Sequence, residues 1–296
     1  MKKLIWILAL FLGSLLSGAD SAPVDWGSVI DILPDPRAFH EVTTIWEAYG
    51  DYIQRIEVRD GDVAFLVDKT WIFYREGRLL SEQNLHNSHR YDSLFSEYDR
   101  TGPVEKLSRG RRLPRSRDLI HAMFGRTESQ VREHCVTFTF LNHEVNVNRL
   151  AAYALRQVER EIYATASSDP EVRAFIQDLS VIYSFHRKNV KGSRTLSFHA
   201  YGLALDIIPR SYSGLHANWM WSRTYKRYWY RIPLEKRWSP PPAVMNAFKR
   251  HGFIWGGDWV RFDCVHFEYR PEIAFTRSSV AAPDWMTGAT SSFLIK

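Results

Sequence analysis

The first residues whose types and spacing could do chemistry are a histidine and an aspartate seven apart, in Ser197-Phe198-His199-Ala200-Tyr201-Gly202-Leu203-Ala204-Leu205-Asp206. On one continuous strand they would face opposite sides, because side chains alternate. Gly202 permits a sharp bend, so His199 on a loop and Asp206 inside the following strand can converge. Asp206 lies among Leu203, Ala204, Leu205, Ile207 and Ile208. A carboxylate in such company needs a compensating partner, and a metal cation is one of the few adequate ones. Taken alone, the pair reads equally as a capping histidine and a salt-bridged aspartate.

A second cluster runs Trp255-Gly256-Gly257-Asp258-Trp259, then Phe262-Asp263-Cys264-Val265-His266-Phe267-Glu268. Again a loop enters a strand, with His266, Glu268 and Arg270 alternating against Val265, Phe267 and Tyr269. His266 could complete a site with His199 and Asp206. Two imidazoles, one carboxylate and a fourth position for water describe a catalytic zinc site. Asp263, still in the loop, could approach that water without being a ligand. A general base is needed there, since the water must lose a proton as it attacks.

Together the two segments resemble the zinc peptidases that cut D-amino-acid-containing peptides of bacterial cell walls. These include D-alanyl-D-alanine carboxypeptidases, vancomycin-resistance dipeptidases and L-alanyl-D-glutamate endopeptidases. Their pattern is a serine and a histidine, an aspartate seven residues on, and much later an acidic residue three positions before a histidine. Ser197, His199, Asp206, Asp263 and His266 match it position for position, and the resemblance extends over roughly residues 136–275. It implies one Zn2+ held by His199, Asp206 and His266, with Asp263 as base. It also implies an upstream arginine that stabilises the oxyanion. Arg187, in Ser184-Phe185-His186-Arg187, is the candidate, with Arg194 the nearer alternative. Ser197 either contacts substrate or braces the His199 loop. Trp259 either lines the cleft or packs beside the two glycines. Glu268 shares a face with His266 and either orients it or forms a structural ion pair.

Other residues carry less. His86 and His89 have metal-like spacing, but Asn84, Asn87 and Ser88 around them read as a wet loop. His186 adjoins Arg187 and reads as a neighbour of the site. Lys106, Arg109, Arg111, Arg112, Arg115 and Arg117 make either an anion-binding surface or, more simply, a solvated connection. Residues 211–240 interleave Trp219, Trp221, Tyr225, Tyr228, Trp229, Tyr230 and Trp238 with Arg and Lys, the makings of a rim that grips glycan and peptide. Cys135 and Cys264 are either bonded, as export allows, or separate, with Cys264 packed as a small apolar residue.

The elements that must position the motifs follow from periodicity. Val136 to Leu141, Val181 to Phe185, Leu203 to Ile208 and Val265 to Tyr269 read as strands. Val147, Ala151, Ala154, Leu155, Val158 and Ile162 recur at helical spacing. Asp169-Pro170 opens a second helix running to about Leu179, and Pro241 to His251 reads as a third, stopped by Gly252. Upstream, Tyr52 to Val58, Val63 to Val67 and Thr70 to Tyr74 read as a small antiparallel meander. The predicted fold is α+β: a small antiparallel sheet flanked by helices carries the single zinc site in residues 126–296. A smaller, mostly β accessory region over 20–125 precedes it.

Residues 1–19 differ in kind. Met1-Lys2-Lys3, an apolar run from Leu4 to Leu16 and Ser17-Gly18-Ala19 have the order of a signal peptide. No later stretch is long and apolar enough to span a membrane. The chain is 45% hydrophobic and 24% charged, which excludes a largely disordered protein, and its net charge of +6 is too diffuse to name nucleic acid as partner. These features predict an exported, periplasmic or wall-associated zinc peptidase acting on peptidoglycan stem peptides. A D,D-carboxypeptidase is favoured over an L-alanyl-D-glutamate endopeptidase, and a non-catalytic wall-binding module on the same fold is the rival from another class. The absence of a His-Glu-x-x-His helix disfavours a protein-directed metalloprotease.

Overall fold

The computed structural model describes residues 24–95, 102–107, 113–190 and 195–276. The predicted signal peptide, Arg109, Arg111, Arg112 and Arg194 lie outside these. Among the described residues the fold is α+β, built on two four-stranded antiparallel sheets and one hairpin.

The first sheet is the predicted meander with one more strand: β1 Ile53–Arg59, β2 Asp62–Val67, β3 Thr70–Arg75 and β4 Arg78–Ser81, in sequential order. Asp60 and Gly61 both take positive φ in the β1–β2 turn, the conformation a tight two-residue hairpin requires. The region is not mostly β, however. Helices Trp26–Ile32, Pro36–Tyr49 and Asp118–Phe124 account for much of it. Asp35 caps the second of these through the Arg37 N–H, with Pro36 in the first turn and Val42, Ile45, Ala48 and Tyr49 on the buried side. That is the same Asp-Pro opening as at Asp169-Pro170, which does start the helix Pro170–Asp178.

Beyond residue 125 the structure departs from the sequence reading at Val147. This residue belongs not to a helix but to a strand, β6 His143–Asn148, paired antiparallel with β5 Cys135–Phe140. Leu141 and Asn142 both adopt positive φ to turn the chain between them. The helix starts only at Arg149 and runs to Ala166, with the Asn148 side chain accepting from the Leu150 N–H.

The second sheet carries the site. Its strands are β7 Leu179–Tyr183, β8 Ala204–Pro209, β9 Phe253–Trp255 and β10 His266–Tyr269, in the order β7-β8-β10-β9. The helix Pro242–Arg250 leads into β9 through Gly252 at φ 84°. Phe248 of that helix stacks on Phe267 of β10, with ring centroids 4.1 Å apart. One continuous apolar core joins the N-terminal helices and meander to this sheet. No helix among the described residues is long and apolar enough to cross a membrane.

Candidate metal centre

His199 lies in a short 3-10 turn, Phe198–Tyr201, that ends at Gly202 in the left-handed conformation, φ 68°. The glycine is required twice over. Its φ is one that other residues seldom adopt, and a Cβ there would stand 2.6 Å from the Asn148 backbone nitrogen and 3.0 Å from Cys135 Sγ. The bend brings His199 back over β8, where Asp206 pairs with His266 across the β8–β10 ladder.

Three atoms converge. Asp206 Oδ1 is 3.1 Å from His199 Nε2 and 2.7 Å from His266 Nδ1, and the two imidazole nitrogens are 3.3 Å apart. In a tetrahedral zinc site with bonds of about 2.0–2.1 Å, neighbouring ligand atoms stand about 3.3 Å apart, so the donor set fits that ion. Among the described residues these three form the one group whose side chains could jointly hold a metal.

The tautomers fit as well. His199 Nδ1 lies 2.8 Å from the Ser184 carbonyl oxygen, which can only accept, so the ring donates there and Nε2 turns its lone pair inward. His266 Nε2 lies 3.0 Å from Glu268 Oε1, and by the same reasoning Nδ1 faces the site. Burial works to lower His266, yet its bonds to Asp206 and Glu268 push it up to about 10. Burial works to raise Asp206, yet hydrogen bonds with both imidazoles hold it well below the usual carboxylate range. Two carboxylates, Asp206 and Glu268, flank the His266 ring, and their negative charge favours a cation among the converging atoms.

Asp263 precedes β10 in the loop. Its Oδ1 is buried with no hydrogen-bond partner. Burial pushes the carboxyl up, against a lowering influence from His266 and a hydrogen bond with Asn218. A buried, orphaned carboxylate oxygen within electrostatic range of Asp206, His199 and His266 suits a proton acceptor.

The remaining candidates are placed as follows. Ser197 is buried and caps the 3-10 turn with its backbone, donating to the Lys188 carbonyl at 3.0 Å and accepting from the Ala200 N–H at 3.0 Å. Trp259 stands with its ring 5.6 Å from that of His266. Arg187 is exposed on the segment after β7. The cation that reaches the cluster is its neighbour Lys188, with Nζ 3.7 Å from Asp206 Oδ2; it stands beside Arg187 in the sequence but was not singled out there. Asn218 was missed too. Its side chain accepts from the Met220 N–H and bonds Asp263, a double role that no local pattern announces.

The aromatic segment abuts the loop that carries Asp263. The Trp219 N–H donates to the Phe262 carbonyl at 2.9 Å, and the Cys264 N–H donates to Ala217 at 2.8 Å. Trp229 and Trp238 are core residues, whereas Trp221, Tyr225 and Tyr228 are exposed. Buried Arg237 clamps the loop through the carbonyls of Gly257 and Trp259. Both cysteines are free: Cys264 is packed in the core, where burial raises its thiol to about 12, and Cys135 is raised by burial to about 11.

Residues 191–269 match the family model described as D-alanyl-D-alanine carboxypeptidase, a zinc peptidase family. The stretch contains Ser197, His199, Asp206, Asp263, His266 and Glu268, and leaves Arg187 and all preceding residues outside. No curated protein and no solved structure matches the chain.

Proposed function

We propose that this chain is an exported zinc peptidase that hydrolyses an amide bond in peptidoglycan stem peptides. The observation that carries this reading is the convergence of His199 Nε2, Asp206 Oδ1 and His266 Nδ1 beside the partnerless, buried Oδ1 of Asp263. Zinc, when bound there, would act as a Lewis acid and lower the pKa of a water towards about 7. Asp263 takes the proton from the attacking water and returns it to the departing amine. Burial, which raises its carboxyl, makes it a better base than an exposed aspartate. The Arg187–Lys188 pair supplies positive charge where the carbonyl oxygen becomes an oxyanion. Trp259, beside His266, walls the cleft, and Ser197 braces the His199 turn.

Within this reading a D,D-carboxypeptidase is the favoured activity. The segment 211–240 is stitched to the metal loop and presents Trp221, Tyr225 and Tyr228 to solvent, a bulk suited to closing one end of the cleft. Zinc-loaded protein incubated with a purified pentapeptide stem should release free D-alanine. Release of stem peptides cut at L-alanine would instead assign the endopeptidase reaction. Zinc binding with no cleavage of any wall peptide would leave the non-catalytic wall-binding role.

A further inference from the structure

Glu268 does more than orient His266. Its Oε2 lies 3.6 Å from Arg270 Nη1, Arg270 Nε donates to Glu272 Oε1 at 2.6 Å, and Tyr49 Oη donates to Glu272 Oε2 at 2.6 Å. Every member of this series, from His266 to Tyr49, is only 1% to 9% exposed. Burial and the Glu272 charge hold the Tyr49 phenol well above its ordinary value, so it remains a donor. Arg270 also packs its guanidinium 4.3 Å from the centre of the Phe198 ring, and Phe198 immediately precedes His199. One guanidinium thus touches both ligand-bearing segments, β10 through Glu268 and the 3-10 turn through Phe198. Its position is set from below by Glu272, whose two oxygens are divided between Arg270 and a tyrosine at the end of the helix Pro36–Tyr49.

We propose that Tyr49 is a positioning residue for the metal centre, anchoring a buried chain of hydrogen bonds and ion pairs through Glu272, Arg270 and Glu268 to the ligand His266. The proposal rests on the metal reading above. It gives the N-terminal region a part in the centre although the matched stretch ends before Arg270. Without the phenol, Glu272 Oε2 loses a buried donor and the carboxylate turns both oxygens to Arg270. The guanidinium is drawn from Glu268, and the His266 ring loses the partner that fixes its tautomer.

A control is built into the same region. Tyr74 Oη donates to Glu41 Oε2, also at 2.6 Å and also buried, in a pair whose carboxylate turns its other oxygen to Arg37. Zinc affinity by chelator competition and the visible spectrum of the cobalt-loaded protein should be measured for wild type, Tyr49→Phe, Glu272→Gln and Tyr74→Phe, alongside urea unfolding. Tyr49→Phe and Glu272→Gln should each weaken zinc roughly three- to tenfold and alter the cobalt spectrum. That is less than the 10- to 100-fold typical of a ligand's direct partner, because three groups intervene for Tyr49. Tyr74→Phe should cost similar stability while leaving zinc affinity and spectrum at wild-type values. If Tyr49→Phe does not fold, Glu272→Gln decides. Zinc affinities in the first two variants equal to that of Tyr74→Phe overturn the proposal. A wild-type chain that binds no zinc overturns the metal reading itself, and this inference with it.

Discussion

His266 stands directly opposite Asp206 on antiparallel strands β10 and β8, with Nδ1 2.7 Å from Oδ1. Residues opposite one another in such a pair project from the same face, so the ladder register itself delivers two of the three candidate ligand atoms. A slip of one residue would set Leu205 or Ile207 opposite His266 and turn Asp206 into the apolar layer. The third candidate, His199, comes from outside the ladder, by way of the turn at Gly202.

His199→Ala should therefore abolish zinc binding without unfolding the chain, since the strand pair survives its loss. Zinc at about a hundred times its Kd should add about 2.7 kcal/mol to wild-type stability and nothing to the variant. Thermal unfolding with and without zinc reads the difference.

Gly202→Ala should be costly. Left-handed φ for a residue with a Cβ costs about 1–3 kcal/mol, and the new methyl would meet the Asn148 nitrogen at 2.6 Å. Urea unfolding should show at least that loss. Zinc affinity should fall too, because His199 and Asp206 can no longer approach as they do.

How much of this was legible depended on whether the signal was local. The three candidate ligands, Asp263 and the bend at Gly202 lie in short runs whose residue types suggest their chemistry, and the structure brings the side chains of His199, Asp206 and His266 together. The strand β6 was hidden because Val147 also fits the spacing of the helix that follows; the turn at Leu141-Asn142 and the Asn148 cap decide the boundary. The helix Pro36–Tyr49 opens on Asp35-Pro36, a start signal that the β-branched runs just downstream of it obscure. Lys188, Asn218 and the Tyr49–Glu272 contact join residues through tertiary packing, and no spacing rule reaches across such separations.

His251 should make stability depend on pH. Its Nε2 is 3.2 Å from Glu161 Oε2, but burial and then the charges of Arg250 and Arg160 lower it to about 4. Unfolded, the imidazole takes up its proton near 6.5, so between there and about 4 the folded state binds fewer protons. The contribution is complete above about pH 6.5 and is lost as the pH falls through that window, by on the order of 2 kcal/mol. Urea unfolding at pH 7 and pH 4.5 should show the loss, and His251→Gln should remove that part of the slope.

The most direct test of the central claim is the turnover of Asp263→Asn on the wall peptide that the wild type cleaves, at full zinc occupancy in both proteins. The substitution keeps the shape of the side chain and leaves all three ligands in place, but removes the proton acceptor. The variant should bind one zinc per chain, unfold near the wild-type midpoint, and lose on the order of 10²–10⁴ in kcat, the usual worth of a positioned base. An Asp263→Asn protein that cleaves at the wild-type rate would contradict the account.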